Sequence, residues 1–577
     1  MTGSWYVAEA GELRANSSVS GSAIFREVST DSSVSGDSSV YRVNPNVNIS
    51  YRSAKFQGRA SANVTYLERD DFRENSSSED TYTNFNYQAS YSAIDNVLRI
   101  QANGGFSYRN LTPENYIVTD VINDDSNLVK TRNNSLAAIL TKRKGDYFLG
   151  NGVARVSKVE TGPRGQNRQG FDNTDISFQG TARNTEDADI FFWELSGAYR
   201  ETDRGNQGNP VTLSSNDFIT RRGDFAGELM VYKEFGIYIA ASHDAYQYQS
   251  ATSTGTTKRE FYSAGAGLTY RQSRNRYIRV AYSRQFDSDI DVEIANDEDI
   301  NDDTYFLEGE INWAATPRTS LRARLTRNAT GETGNVSIRY NTKKLRSSLQ
   351  YTENVTNFSR LINEPDSMGV FVCQQGSTSL ADCFQPASLD YQLQTGETFL
   401  EFFSPNLELT DEVIKRQSLN AEFGLSGKRT RVVLNTRYSL DTYVTNNRQT
   451  RTRSVSTRIN HRLGRRNTIS ASISYALIER NEVASIGDDT ENETWNSSIS
   501  YTRNIGRSLR LNTSLNYIER AGENSFINFG DFKERRVTIG ITYIFNSRSD
   551  SAEGQGGITE TQNNSGFNNI NTQSNRF

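Results

Sequence analysis

The sequence is poor in the residues on which most catalytic and metal sites depend. Only two cysteines and two histidines occur among 577 residues. Two cysteines are too few for a four-cysteine zinc site or an iron–sulfur cluster. One histidine, His243, stands next to Asp244, but adjacent residues of a strand face opposite ways and cannot form a catalytic pair. We therefore expect that the chain is not an enzyme and that it uses no cofactor.

Long apolar runs and helical patterns are also missing. No run approaches the roughly 18 apolar residues of a membrane-crossing helix, and the helical spacing i, i+3, i+4, i+7 is almost absent. Residues 1–16 lack the basic start and apolar core of a signal peptide. There is no phosphate loop, dinucleotide fingerprint or basic–aromatic surface, so no nucleic-acid partner is expected. An aromatic content of 11% argues against a disordered chain.

What the sequence does contain is strict alternation of apolar and polar residues. In RVTIGITYIF, residues 536–545, every second residue is apolar, and Thr538, Gly540 and Thr542 separate them. This period of two is typical of a strand with one apolar face. We count about 24 such segments, most of about 10–15 residues, the length that a tilted strand needs to cross a bilayer. The alternation predicts an all-β, transmembrane, antiparallel up-and-down β-barrel.

The connections between these segments alternate in length. Very short turns such as 52–55, 143–146 and 427–429 follow every second segment, and longer polar stretches such as 111–127 lie between them. Periplasmic turns and extracellular loops differ in this way in bacterial outer-membrane barrels. Tyrosines that continue the apolar face near both ends of the segments favour lipid contact over a soluble β-sandwich or propeller. We therefore predict an integral outer-membrane protein in contact with lipid and lipopolysaccharide.

This prediction divides the chain into three parts. Residues 1–16 are expected to form a short periplasmic segment, and residues 17–546 the barrel. Residues 547–577, rich in Asn, Gly, Ser and Gln, are expected to form a disordered periplasmic tail. No separate plug domain is visible at either end, so the longest loop, 359–411, is our candidate for narrowing the passage.

The last segment also resembles the assembly signal of bacterial outer-membrane proteins. That signal is a polar residue, then glycine, then two alternating apolar residues, and the barrel-assembly machinery recognises it. The matching residues are Thr538, Gly540, Tyr543 and Phe545. The alternative is that they simply belong to a final amphipathic strand.

The face opposite to the apolar one is predicted to line the lumen and carries many charges. The inward charged residues are Arg279, Glu308, Glu310, Arg322, Arg324, Arg339, Arg346, Arg437, Arg458 and Arg510. One interpretation is a water-filled passage for a polar substrate. The other is that opposite charges on neighbouring strands only neutralise each other, in pairs that contribute roughly 0.2–1 kcal/mol.

Two features lie in predicted loops. Cys373 and Cys383, both in the loop 359–411, are a disulfide candidate on the oxidising side of the envelope. Asp287, Asp289 and Asp291 have a spacing that could gather Ca²⁺, but their stretch lacks the glycine and distal glutamate of a calcium loop. A solvated acidic loop is the alternative there.

A family resemblance is found near the start of the chain. GSAIFREVSTDSSVSGDSSVYRVNPNVNISYRSAKFQGRASANVTYLERDDF, residues 21–72, contains a Ser/Asp-rich loop, a strand around Pro45 and an aromatic-rich strand ending at Tyr66. It resembles the start of outer-membrane barrels associated with exopolysaccharide and PEP-CTERM gene systems. The resemblance implies a conduit for exopolysaccharide export that works with periplasmic polysaccharide-export proteins. Two alternatives are a sleeve around a partner such as a multihaem cytochrome, and a structural protein that anchors surface material.

Overall fold

The structure is a computed structural model that describes most of the chain. In 367–374, 383–384 and 397–403 only the backbone is described. The described residues are 11–30, 35–71, 76–110, 122, 128–145, 147–162, 172–185, 188–205, 218–249, 256–273, 276–286, 305–316, 318–328, 331–342, 344–357, 367–374, 383–384, 397–403, 413–443, 448–481, 490–506, 508–522 and 531–545.

The described residues form strands joined by turns, and the strands are numbered β1 to β27 in chain order. In the part of the chain described, no helix has the length and apolar character that a membrane crossing requires. The strands are β1 Glu12–Thr30, β2 Ser35–Arg52, β3 Phe56–Asp71, β4 Ser76–Ile94, β5 Leu98–Asn110, β6 Leu128–Lys142, β7 Phe148–Thr161, β8 Asp172–Asn184, β9 Phe191–Gly205, β10 Phe218–Tyr232, β11 Phe235–Gln249, β12 Thr256–Ser273, β13 Arg276–Phe286, β14 Tyr305–Thr316, β15 Thr319–Asn328, β16 Gly331–Asn341, β17 Leu345–Asn357, β18 Ser367–Gln374, β19 Cys383–Phe384, β20 Glu397–Phe403, β21 Val413–Ser426, β22 Thr430–Tyr443, β23 Gln449–Arg462, β24 Asn467–Asn481, β25 Thr490–Ile505, β26 Leu509–Gly522 and β27 Phe532–Phe545.

Twenty-four of these strands form one closed antiparallel sheet. Each strand of this sheet pairs with its neighbours along the chain, and β17 pairs with β21, so β18 to β20 form a separate three-stranded sheet. The ring closes between β1 and β27, in a register that runs from Ser17 opposite Phe545 to Thr30 opposite Phe532. Closure leaves no strand edge unpaired. The prediction of an all-β, up-and-down barrel of 24 strands is confirmed.

The barrel is apolar outside and polar inside. On β27, Val537, Ile539 and Ile541 are 38%, 47% and 51% exposed, whereas Thr538 and Thr542 are 7% and 8% exposed. A water-soluble fold places its apolar residues the other way round. A closed barrel satisfies its backbone hydrogen bonds internally, and an apolar exterior suits lipid rather than water. The protein is therefore an integral outer-membrane barrel, as the alternation predicts.

The exterior changes character at the end where the long loops join. There Tyr199 donates a hydrogen bond to Glu201 at 2.7 Å, and Tyr517 donates one to Glu519 at 2.8 Å. Glu519 also forms an ion pair with Lys533 on the neighbouring strand, at 2.9 Å. A tyrosine ring in the apolar band with its hydroxyl among charged groups is the arrangement found at a lipid–water boundary. These groups mark the upper edge of the lipid-facing band.

The wall bends sharply at β12. Gly265 and Gly267 face the lumen there, in the stretch SAGAG, and a Cβ at either position would overlap the backbone of β13, at Ser283 and Val280 respectively. Because these positions lack side chains, β11 and β13 approach to within 8 Å of each other between Cα atoms, although β12 separates them in the sheet. The bend brings the inner faces of β11 and β13 together, on the part of the wall that carries the charged residues Arg279 and Glu310.

Candidate functional site: the charged lumen

A cavity of 210 Å³ lies inside the barrel among strands β8 to β17. Six of the ten residues predicted to line the lumen surround it, namely Arg279, Glu308, Glu310, Arg322, Arg324 and Arg339. The other four, Arg346, Arg437, Arg458 and Arg510, lie on β17, β22, β23 and β26 and do not line this cavity. The structure therefore gathers part of the predicted set in one place and distributes the rest around the wall.

Glu228 on β10 is the centre of an ion-pair network beside the cavity. Its side chain is 1% exposed and accepts hydrogen bonds from Arg271 Nε at 2.9 Å and Arg279 Nε at 2.8 Å. Further bonds come from the Nη2 atoms of the same two arginines, and Thr269 Oγ1 donates another at 2.7 Å. The two guanidinium groups supply the hydrogen bonds that the Glu228 carboxylate would otherwise lack when buried away from water.

Arg279 extends this network to β14. It donates from Nη1 to Glu310 Oε2 at 2.9 Å, and the Tyr277 hydroxyl donates to Glu310 Oε1 at 2.6 Å. The guanidinium of Arg279 also lies 4.3 Å from the ring centre of Tyr277 and 5.4 Å from that of Tyr238. Both distances are in the range of favourable cation–π interactions. Arg279 and Glu310 are directly opposite each other in the β13–β14 register. This pair is of the kind expected between neighbouring strands.

Arg324 has a more distant partner. It is directly opposite Glu310 in the β14–β15 register, yet its Nη2 donates to Asp224 Oδ1 on β10 at 2.9 Å. Four strands lie between β10 and β15 in the sheet. Asp224 also accepts from Arg222 Nε at 2.8 Å. This contact crosses the lumen, so it differs from the cross-strand pairs of neighbouring strands that were one of the two interpretations of the inward charges.

Asp224, Glu228 and Arg271 are not among the residues predicted to line the lumen. The signal was nevertheless present on β10, because Asp224 and Glu228 alternate with Phe225 and Leu229, which are 37% and 48% exposed to the lipid side. Period-two alternation therefore places both carboxylates in the lumen. It does not show which arginines they meet.

An apolar cluster lies inside the barrel at the loop end. Arg26 and Arg69 each donate to the carbonyl oxygen of Ile122, at 3.4 Å, so Ile122 of the connection 111–127 is held inside the barrel. Tyr108, which the alternation places towards lipid, packs edge-on against inward Tyr82 at 5.1 Å between ring centres. The buried apolar residues of this cluster are Ile24, Val40, Leu67, Tyr82 and Ile122. The loop 359–411, predicted to narrow the passage, lies largely outside the described residues, so its place relative to the lumen stays a prediction.

The remaining wall carries rows of hydroxyl and amide side chains. On β24 to β26, Ser472 and Ser498 share a hydrogen bond of 2.7 Å, and Thr502 donates to Asn512 at 3.1 Å. On β6, the Ser135 hydroxyl donates a hydrogen bond to the side-chain oxygen of Asn103 on β5, at 2.7 Å. These groups are paired with one another but retain capacity for further hydrogen bonds, since each hydroxyl and amide has several donor and acceptor sites.

Other predicted sites fall partly or wholly outside the described residues. Asp287, Asp289 and Asp291 are not among them, nor is the tail 547–577. Within the described ranges, no group of three or more metal-binding side chains is found. The backbone register places Cys373 directly opposite Cys383 on antiparallel β18 and β19, but their side chains are not described, so the disulfide stays a prediction.

The structure places the four residues of the assembly pattern on β27. Thr538 is 7% exposed and faces the lumen, and Gly540 is on the same face. Tyr543 and Phe545 face outwards, with exposures of 48% and 43%, near the end of the strand. β1 begins at Glu12 and β27 ends at Phe545, so the wall starts earlier than the predicted boundary at residue 17. Recognition of this strand by the assembly machinery stays a prediction.

No family model and no curated protein matches the sequence. Solved structures with a similar shape include the FrpB iron transporter from Neisseria meningitidis (F5-1 variant), at 10% identity and a TM-score of 0.44, over 92% of this chain and 82% of that one. The siderophore receptor PirA from Acinetobacter baumannii aligns at 12% identity and a TM-score of 0.41, over 91% and 80%. BauA, the ferric preacinetobactin receptor from Acinetobacter baumannii, aligns at 9% identity and a TM-score of 0.44, over 92% and 80%.

Proposed function

We propose that this barrel is a non-enzymatic outer-membrane transport protein whose cargo is a polar polymer, an exopolysaccharide that is exported. The observation that carries the proposal is a hydroxyl- and amide-rich inner wall that continues across the whole membrane thickness. A transported sugar chain needs such groups at every depth, because each sugar hydroxyl that leaves water must find a new hydrogen-bonding partner.

Strand β25 has this continuity most clearly. Its lumen-facing residues are Thr494, Asn496, Ser498, Ser500 and Thr502, at every second position. Asn492, which is 3% exposed, continues this row, so at about 3.3 Å per residue the row extends over about 33 Å of strand. At a strand tilt of about 40° this corresponds to a height of about 25 Å, which matches the apolar band of such barrels. Trp495 and Ile499 on the other face are 43% and 56% exposed. The same strand therefore meets lipid on one side and presents an unbroken polar row on the other.

Polysaccharide is the preferred cargo because two independent features agree with it. The lumen carries uncharged hydrogen-bonding rows as well as arginines, which suits a hydroxyl-rich chain better than a purely ionic solute. Residues 21–72 in addition resemble the start of exopolysaccharide-associated barrels. On this proposal, periplasmic polysaccharide-export proteins would deliver the polymer to the end of the barrel that carries the short turns.

The test is deletion of the gene in its native host, with polysaccharide measured separately at the cell surface and in the periplasm. The proposal expects loss from the surface and accumulation in the periplasm, both reversed by the intact gene. An unchanged distribution would refute it. In that case, haem absorbance of the purified complex would favour a sleeve around a cytochrome. A growth defect of the deletion strain only under iron limitation would instead favour uptake of an iron chelate. Loss of surface material on removing the loops alone would favour anchoring.

A further inference from the structure

We propose that Arg322 and Arg339 form a binding site for the carboxylate groups of an acidic polysaccharide inside the lumen. The inference rests on the proposed function and deepens it, because it names the chemical class of the polymer. It is carried by the distribution of ion pairs around the cavity. Among the described residues, the carboxylates beside these two arginines already have partners, and the two arginines do not.

The carboxylates near the centre of the cavity are all engaged. Asp224 binds Arg222 and Arg324, and Glu310 binds Arg279 and Tyr277. Glu308, which is 7% exposed, accepts hydrogen bonds from the hydroxyls of Ser283 and Thr326. On the far wall Glu194 is directly opposite Arg183 in the β8–β9 register. None of these carboxylates forms an ion pair with Arg322 or Arg339.

Arg322 and Arg339 both line the cavity and both are exposed to it. Neither has an ion pair or a side-chain hydrogen bond with any residue in the described ranges. Their outward neighbours on the strands are apolar, and Ile338 is 41% exposed on the lipid side. Two unpaired guanidinium groups that project into a membrane-enclosed cavity leave positive charge for an anion to neutralise.

The register brings the two arginines close enough to act together. Arg322 is directly opposite Ser337, and Arg339 lies two residues further along the same strand. Such diagonal neighbours on one face of an antiparallel pair are about 7–8 Å apart at their Cα atoms, a distance that two arginine side chains easily bridge. One carboxylate can therefore contact both guanidinium groups.

The same diagonal continues toward the short-turn end. Arg346 is directly opposite Asn341, which lies two residues beyond Arg339 on β16. The charge of Arg346 interacts with Glu422 on β21, so Arg346 is not a third arginine without a charged neighbour. Each step of the diagonal moves one strand around the wall and two residues towards the short turns, so a repeating chain of acidic sugars could meet the arginines in succession. We therefore favour a polymer that carries carboxylates over a single small anion.

The side chains between these arginines suit the uncharged part of a sugar. Asn312 is directly opposite Arg322 on β14, and Ser337 is opposite it on β16. Gln350 of β17 also lines the cavity. Guanidinium groups that bind the carboxylate, with amides and hydroxyls that bind the ring hydroxyls, are a combination suited to uronic-acid units.

The test is a binding measurement on the full-length protein in detergent micelles, which does not require an open passage. Fluorescently labelled oligogalacturonate is the acidic probe, and labelled dextran of matched length is the neutral one. We expect R322Q/R339Q to weaken oligogalacturonate binding about tenfold or more, since hydrogen bonds between charged groups are the strong ones. Dextran binding should stay unchanged.

The matched control is R42Q/R59Q, which removes the same charge from the lumen at β2 and β3. Arg42 donates to Ser22 at 3.2 Å and Arg59 to Gln88 at 3.3 Å, so neither is in an ion pair at those contacts. The control should bind oligogalacturonate like the unmodified protein. Equal binding by R322Q/R339Q, or an equal loss in both double variants, would overturn the site. Competition by inorganic phosphate at the same concentration as galacturonate units would overturn the preference for a polymer.

The two proposals fail in distinguishable ways. If deletion blocks export but R322Q/R339Q binds oligogalacturonate normally, the barrel exports a polymer that these arginines do not recognise, and this inference is refuted. If deletion leaves polysaccharide unchanged while R322Q/R339Q loses oligogalacturonate binding, the anion site is supported and the export function is not. Far-UV circular dichroism of each variant verifies that the β-barrel is folded.

Discussion

The buried network around Glu228 leads to a quantitative prediction. Replacing Glu228 with alanine removes the only carboxylate that both Arg271 and Arg279 contact in the described structure. The side chains of the two arginines are 8% and 6% exposed, so their charges are poorly solvated once the carboxylate is gone. Breaking a buried ion pair by removing one partner typically costs about 3–5 kcal/mol. Because Arg279 keeps its bond to Glu310, we expect a loss near 3 kcal/mol.

The measurement is the free energy of unfolding, from reversible denaturant titration of the full-length protein folded into lipid vesicles. E228Q should lose less, about 1–3 kcal/mol, because a carboxamide oxygen still accepts a hydrogen bond from one of the arginines. The matched control is E519A, whose partner Lys533 is on the outer surface with 55% of its side chain exposed, and its stability should change little. If E228A lost less than about 1 kcal/mol, water in the lumen would be solvating both arginines, and the network would not act as a buried one.

Three further predictions follow from other contacts. D224A should raise single-channel conductance in planar bilayers, because it breaks the contact between β10 and β15. The double variant D224A/R324A should show the same conductance as D224A, since both substitutions remove the same interaction. Additive increases would contradict this. I539R should cost about 2–4 kcal/mol of folding free energy, the cost of arginine near the middle of the lipid-facing wall; no loss in vesicle refolding would mean that Ile539 does not face lipid. Cys373 and Cys383 should resist thiol labelling until the protein is reduced, because the backbone register places them directly opposite each other. In C373S, Cys383 should be labelled without reductant. Labelling of both cysteines in the unmodified protein without reductant would exclude the disulfide.

The bend at β12 explains why the lumen is not a uniform cylinder. Gly265 and Gly267 allow β11 and β13 to approach more closely than side chains would permit, and further out Asp224 on β10 is linked to Arg324 on β15. Glycines in a strand interior often mark such bends. A lumen with one bent, ion-paired wall and one hydroxyl-rich wall presents two chemistries to any solute that enters it. This two-sided lumen is the structural basis of both proposals.

Much of the fold could be predicted because the relevant signal is local. The alternation in 536–545 shows which side chains face outwards, and the structure confirms this for Val537, Ile539 and Ile541. Short turns such as 427–429 also fall where the structure places them, between β21 and β22. The candidate site was less predictable. Arg279 and Glu310 were expected inside the lumen, but Glu228, the carboxylate at the centre of the ion-pair network, was not among the predicted residues.

The sequence by itself determined the class of the protein, the number of strands, the lipid-facing side chains and the end of the barrel that carries the loops. Each of these depends on residue type at a fixed spacing along one strand or turn. Only the tertiary structure decided that Arg324 contacts Asp224 and that Ile122 packs inside the loop end. It also decided that Arg322 and Arg339 have no charged partner within the part of the chain that is described. The physical reason is that distances across a lumen depend on the curvature of the closed wall. Period-two alternation specifies the face of each residue but not that curvature.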